Sequence, residues 1–204
     1  MSQYAGSIAR QESTSIWSDS DQEGAWITAS QYGDTRAFNR LVLKWEKRVY
    51  GMAFRMLRNR EEAAEATQDA FLLAYRNIRR FRKDAKFSTW IYRIVVNHCL
   101  TRLKQRPTGA HFSLESEGFP ESSAPQLRVD ETQTGKLMRE EQRNRVLAAL
   151  WRLPPDQQAV IELKFFQDLT FEEIAATLEI PLSTIKSRLY SGLEMLKIRL
   201  GTEA

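Results

Sequence analysis

Apolar side chains return at every third or fourth position through most of this chain, the spacing that lines one side of an α-helix. The clearest run is Phe38, Leu41, Val42, Trp45, Val49, Met52, Ala53 and Met56, which predicts one long amphipathic helix opening at Asp34, a natural N-cap. Upstream, Ser20 and Glu23 have capping-box spacing and predict a helix running to Tyr32, with Gly33 as its stop. Asn59 and Glu62 repeat that spacing and open a third helix through Glu65, Gln68, Asp69, Leu72 and Tyr75 towards Ile78. A fourth starts near Ser88 and is ended by Pro107.

Beyond the fourth helix the periodicity lapses. Gly109, Gly118, Pro120, Ser122, Ser123 and Pro125 mark a flexible linker over residues 107–135. Its core of about 28 residues has a coil span of roughly 30 Å. Helical patterning resumes with a segment ending at Trp151, a break at Leu153-Pro154-Pro155, and a helix over residues 156–166. Two closely spaced helices follow. No strand alternation or internal repeat competes with this reading. The predicted fold class is all-α, with two small helical domains: a disordered leader over 1–19, a first domain over 20–106, the linker, and a second domain over 136–204 that ends in a helix-turn-helix.

The charge is unevenly spread. The 204 residues sum to only +4, yet residues 38–106 carry 17 basic and 6 acidic side chains, and residues 107–141 carry 3 and 7. Between Arg76 and Arg106 ten Lys or Arg face the single acid Asp84. Such density attracts polyanions, nucleic acid first and anionic membrane second. One cysteine, Cys99, and two histidines, His98 and His111, are too few for a Cys/His zinc cage, so no metal or cofactor is expected. With no membrane-length apolar run and a polar amino terminus, the expected location is the cytoplasm.

Two segments carry candidate chemistry. In the second domain Thr170 and Glu173 form a capping-box pattern, Glu179-Ile180-Pro181 makes a turn, and Leu182, Ile185, Leu189, Leu193, Leu196 and Leu200 share one side of the last helix. The opposite side presents Ser183, Thr184, Ser187, Tyr190 and Ser191, with Lys186 and Arg188 beside them. Short polar residues near a helix start approach base edges while cations hold phosphate, so this is the layout of a DNA recognition helix. A helical hairpin that merely packs a core is the alternative. In the first domain Arg93, Lys104, Asn97, Trp90 and Thr101 form a stripe, preceded by Phe81 and Phe87 among cations. Rings beside cations suit unstacked single-stranded bases, although each ring serves a core equally well. His98 and Cys99 fall on the inward side, as core residues.

Taken together, the motifs resemble the bacterial sigma factors of the extracytoplasmic-function group, within the housekeeping sigma family. The resemblance rests on Glu65-Ala66-Thr67-Gln68-Asp69-Ala70-Phe71 before Ala74-Tyr75-Arg76, then Phe87-Ser88-Thr89-Trp90-Ile91-Tyr92-Arg93-Ile94 with Asn97. It continues with Leu153-Pro154-Pro155, Glu173-Ile174-Ala175, and Pro181 leading to Thr184-Ile185-Lys186-Ser187-Arg188-Leu189. It implies a transcription initiation factor that is not itself an enzyme. Glu65, Gln68 and Asp69 match the surface that grips core RNA polymerase. Arg80, Arg82, Lys83, Lys86, Phe87, Ser88, Thr89, Trp90, Arg93 and Asn97 match the part that recognises and melts the minus-ten element. Ser183, Thr184, Lys186, Ser187 and Arg188 match the reader of the minus-thirty-five element. The implied partners are core polymerase, promoter DNA in duplex and single-stranded form, and an anti-sigma factor, often membrane-anchored in this group. Ser191, Leu193 and Gln158 depart from the family's tendency to arginine.

Two other readings compete with this one. Glu61, Glu62, Glu65 and Asp69 on one helix suggest a metal-dependent nuclease, but Glu-x-x-His pairs from partner helices are lacking. A dimeric regulator reading a palindrome without polymerase is the other; it predicts tight binding to DNA alone.

Overall fold

The computed structural model describes residues 19–82, 85–106 and 133–201. Among them are eight α-helices and no strand. The first half comprises α1 (Asp19–Gln31), α2 (Thr35–Leu57), α3 (Arg60–Asn77), a 3-10 turn (Ile78–Arg80) and α4 (Phe87–Gln105). The second comprises α5 (Gln133–Leu150), α6 (Pro155–Ile161), a π turn (Glu162–Phe166), α7 (Phe171–Leu178) and α8 (Leu182–Gly201).

The capping residues behave largely as their chemistry dictates. Asp34 accepts from the Arg36 and Ala37 amides to start α2, and Gly33 takes φ 99° to end α1. Asn59 accepts from the Glu62 amide to start α3, although the Glu62 carboxylate pairs with Arg106 instead of completing a box. Thr170 and Glu173 form both halves of theirs. At the amino end the expectation needs correction: α1 begins at Asp19, so Ser20 lies inside the helix, and Glu23 pairs with Lys44 of α2 at 2.6 Å. The linker is also shorter than expected at its far end, since α5 begins at Gln133. The leader to residue 18 and residues 107–132 lie outside the described residues.

Helix α2 is the axis of the first domain. Its Leu41, Val49, Met52, Met56 and Leu57 are fully buried, as are Ala63, Ala66 and Ala74 of α3 and Ile91, Val95, Val96 and Cys99 of α4. Small side chains along one side of α3 let its backbone approach α2 closely, which is why the two helices form the most extensive helix pair here. In the second domain Ile174, Ile185 and Leu189 are buried between the helix-turn-helix and α6. Gly192 lets α8 close on α6: a Cβ there would sit 2.9 Å from Ile161 Cδ1.

The two domains, joined in the sequence reading by a flexible linker, pack against each other and share one buried apolar cluster. At the centre of the contact lies Arg55 of α2, 5% exposed, whose guanidinium makes two hydrogen bonds to Glu162, 3% exposed, at 2.7 and 2.5 Å. The ring of Phe166 lies 4.4 Å from the guanidinium carbon. The Arg55 carbonyl, in the last turn of α2, accepts from Trp151 Nε1, at 2.9 Å, and from Gln158 Nε2, both in the second domain. Gln158, which the sequence places near minus-thirty-five recognition, is therefore buried against the first domain.

Candidate functional site

Three faces carry the residues singled out in the sequence. The first lies on α3, where Glu65 and Gln68 are exposed and Asp69 is half-buried. Arg102 of α4 spans the two acids, reaching Glu65 at 2.8 Å and Asp69 at 3.5 Å. The hydrogen bond from Arg102 holds the Glu65 carboxyl below its ordinary value. Gln68 borders an apolar groove of about 870 Å³ between α2 and α3, lined also by Phe38, Val42, Phe71, Leu72 and Tyr75. Leu43, Leu72, Leu73 and Tyr75 are substantially exposed for apolar side chains. The groove was not read from the sequence; the clue was that Leu72 and Tyr75 fall at helical spacing around Gln68, which gives them the same outward side.

His98 sits at the edge of this face and is half-buried rather than wholly in the core, whereas Cys99 is fully buried and burial pushes its thiol up to about 12. Burial first, and then the Arg102 charge, hold the imidazole below its ordinary 6.5; Asp69, 3.6 Å from Nε2, and Glu65 pull the other way without prevailing. The unfolded chain therefore takes up a proton before the folded one, and stability falls as pH drops through 6.5. His98→Gln removes that term. The fall in urea midpoint between pH about 7.5 and about 5.5, a window above the carboxylate range, is expected to be smaller in the variant than in the wild type. An unchanged fall would assign the slope to other groups.

The second face is the start of α4 and the loop before it. Arg80, Arg82, Lys86 and Asn97 are exposed, and Ser88, Trp90 and Arg93 are half-buried; Lys83 lies outside the described residues. Phe87 and Thr89 are buried, at 2% and 9% exposure. Phe87 packs against Trp45, Phe81 and Trp90 in an aromatic cluster, so it offers no free face for a base. Of the rings considered, Trp90 alone is not buried. Two cations of this face are engaged by the second domain: Lys86 Nζ lies 3.1 Å from Glu173 of α7, and Arg93 pairs with Glu179 just beyond it.

The third face is the outer side of α8. Ser183, Lys186, Ser187 and Tyr190 are exposed, and Thr184 and Arg188 half-buried. Arg188 is held by Asp156 of α6 at 3.0 Å, and Gln157 donates to Ser191 at 3.4 Å. Leu182 and Leu193 stay half-buried while Ile185 and Leu189 are buried, as the wheel reading requires. Among the described residues no group of three or more His, Cys, Asp or Glu is disposed to hold a metal ion, and no helix is long and apolar enough to cross a membrane.

Comparison with known proteins bears on all three faces. Residues 41–107 match sigma-70 region 2, and residues 143–196 match sigma-70 region 4. The chain is 32% identical over 178 residues to the RNA polymerase sigma-H factor of Pseudomonas aeruginosa, covering 85% of this chain and 91% of that one. It is 33% identical over 183 residues to the ECF RNA polymerase sigma factor SigW of Bacillus subtilis, covering 82% and 91%. In fold it resembles the structure of CnrH in complex with the cytosolic domain of CnrY, with a TM-score of 0.65, 18% identity, and coverage of 90% of this chain and all of that one. With region 2 on α2–α4, region 4 on the helices around the helix-turn-helix, and relatives of this closeness along most of its length, the chain belongs to the sigma-70 family as an ECF-type sigma factor.

Proposed function

We propose that this sigma factor initiates transcription by gripping core RNA polymerase through the α3 face, reading and opening the minus-ten element with α4, and reading the minus-thirty-five element with α8. The observation that carries the reading is the presence of both sigma regions in one chain with their acidic, basic and recognition surfaces on separate faces. The groove beside Gln68 suits the apolar contacts of a polymerase helix pair, with Gln68 at its border and Glu65 and Asp69 on the side of α3 towards Arg102. The DNA contacts fall to Arg80, Arg82, Lys83 and Lys86 ahead of α4 in the chain and to Ser88, Trp90, Arg93 and Asn97 on α4 itself. Phe87 and Thr89 act from beneath by holding Trp90 and the helix start. On α8, Ser183, Thr184 and Ser187 reach base edges while Lys186 and Arg188 hold phosphate. All these roles are binding roles; catalysis belongs to the polymerase. The site of action is the cytoplasm, where an anti-sigma protein, membrane-anchored in one common arrangement, is the expected regulator.

The test is reconstitution. The purified chain is mixed with sigma-free bacterial core polymerase, followed by size exclusion and by transcription from genomic fragments. Co-elution and promoter-specific transcripts are expected. Tight binding to a DNA palindrome with no polymerase complex would favour the dimeric regulator. Within this assay Lys186→Ala with Arg188→Ala is expected to leave co-elution intact while promoter-specific transcription drops by about tenfold or more, since a hydrogen bond to a charged group such as phosphate is worth about 1.5–3 kcal/mol. Equal loss of both would place these side chains in the fold instead of the DNA contact.

A further inference from the structure

At one corner of the first domain the end of α2, the start of α3 and the end of α4 meet, and two guanidinium groups share the corner. We infer that Arg58, with Arg106 beside it, forms a binding site for a phosphate group carried by a small molecule, of the kind present in pyrophosphate and in the tail of a nucleotide. The backbone supplies the first observation. Arg58 closes α2 in the left-handed conformation, with φ 64° and ψ 15°, and its amide donates to the Phe54 carbonyl at 2.9 Å. Glycine is the ordinary residue at such a position, because a Cβ carries a strain there that glycine lacks. Three non-glycine residues have positive φ among the described residues. Asp168 is of a type that tolerates the conformation, and Glu179 has Arg93 as its partner. Neither reason applies to Arg58.

The side chain supplies the second. Arg58 is half-buried and its Nε is shielded from solvent; among the described residues that nitrogen has no hydrogen-bond partner, and no carboxylate pairs with the guanidinium. Burial first, and then the charge of Arg106, bring the group down from its ordinary 12.5 to about 10, so it stays protonated at neutral pH beside a like charge. Arg106 donates to the carbonyl of Leu57, the residue before Arg58, at 3.0 Å, and to the Glu62 carboxylate. Backbone strain, desolvation and like-charge repulsion all oppose an arginine at this position, and an anion held on its fork offsets the last two. Phosphate fits because the planar fork takes two of its oxygens, while a second negative charge answers Arg106.

The corner stands apart from the three faces described above. On α2 the lining of the apolar groove ends at Tyr50, about two turns before Arg58. Helix α4 has 19 residues and is about 28 Å long, so its far end lies well away from Phe87 and the loop before it. That separation favours a small phosphate compound over the DNA strand held at the start of α4.

The experiment follows thermal unfolding of the full chain as pyrophosphate replaces chloride at constant ionic strength. Wild type is compared with Arg58→Gly, with Arg58→Asn, and with Arg152→Gln, which removes an exposed arginine of the second domain. In chloride Arg58→Gly is expected to melt about 2–4 °C above wild type, because the strain is gone. Arg58→Asn tolerates the same φ and guards against a turn loosened by glycine. At about tenfold excess of pyrophosphate over its Kd, wild type and Arg152→Gln are expected to gain about 2–4 °C, and both variants at position 58 to lose most of that gain. No gain in wild type, or a gain that both variants keep, would overturn the site. If both variants melt below wild type in chloride, the protein itself holds Arg58, which overturns it equally. A thymidine dodecamer titrated by fluorescence anisotropy is the nucleic-acid arm, and its affinity is expected to be unchanged in both variants. Weaker dodecamer binding in both, with no response of wild type to pyrophosphate, would assign the fork to DNA and overturn the small-molecule site.

Discussion

Glu162→Ala is expected to weaken the union of the two domains by about 3–5 kcal/mol, because it strands the Arg55 guanidinium in a buried site without its carboxylate. The wild-type chain, with one apolar cluster running through both halves, is expected to unfold in a single cooperative transition. In the variant the second domain melts separately and earlier, and calorimetry resolves two transitions. The Phe166 ring, 4.4 Å from the Arg55 carbon, retains only a small part of the stabilisation. A double replacement discriminates a pair that matters for its charge from one that matters for its packing. Arg55→Met with Glu162→Leu removes both charges while filling much of the space, and is expected to recover most of the loss. If Glu162→Ala melts as the wild type does, the docked arrangement does not persist in solution.

The second large effect concerns polymerase. Gln68→Ala with Asp69→Ala is expected to reduce affinity for core enzyme by about thirtyfold or more, the consequence of losing roughly 2 kcal/mol of charge-assisted hydrogen bonding. Gln68 is exposed and borders the apolar groove, and Asp69, on the side of α3 towards α4, shares Arg102 with Glu65, so the pair is placed for polar contacts beside the groove. Removing Asp69 leaves Arg102 its stronger partner Glu65 at 2.8 Å, and helical content by circular dichroism is therefore expected to stay at the wild-type level. The affinity is measured by titrating labelled chain with core polymerase. Retained affinity in a folded variant would move the grip to another face.

Much of the architecture was legible beforehand because its signals are local. Asp34, Asn59 and Thr170 each satisfy amides two or three residues away, and such bonds depend on little outside the segment. The heptad-like spacing in α2 and α8 identified the buried sides correctly, since a helix turns by the same angle wherever it sits. Ser20 and Glu23 show the limit of such inference. The spacing was right for a capping box, but Lys44 from another helix offers Glu23 a full charge at 2.6 Å, and the helix already starts at Asp19.

The candidate site divides in the same way. Glu65, Gln68, Lys186 and Ser187 proved exposed because the helix phase alone decides their side. Phe87 was indistinguishable in sequence from a base-stacking ring; only the approach of Trp45, Phe81 and Trp90 from elsewhere in the fold buries it. Gln158 read as a departure at a DNA-reading position, yet it donates to a carbonyl 103 residues earlier in the chain.

By itself the sequence determined the helices, their inward sides and the order of the two sigma regions, because these follow from nearest-neighbour chemistry and helical repeat. Only the tertiary structure decided that the domains dock, that Arg55 and Glu162 share a buried site, and that Glu173 and Glu179 take the cations of α4. Those pairings join residues 86 to 107 positions apart. No local pattern encodes which distant charge will meet which, since that depends on the relative placement of elements that each fold by their own rules.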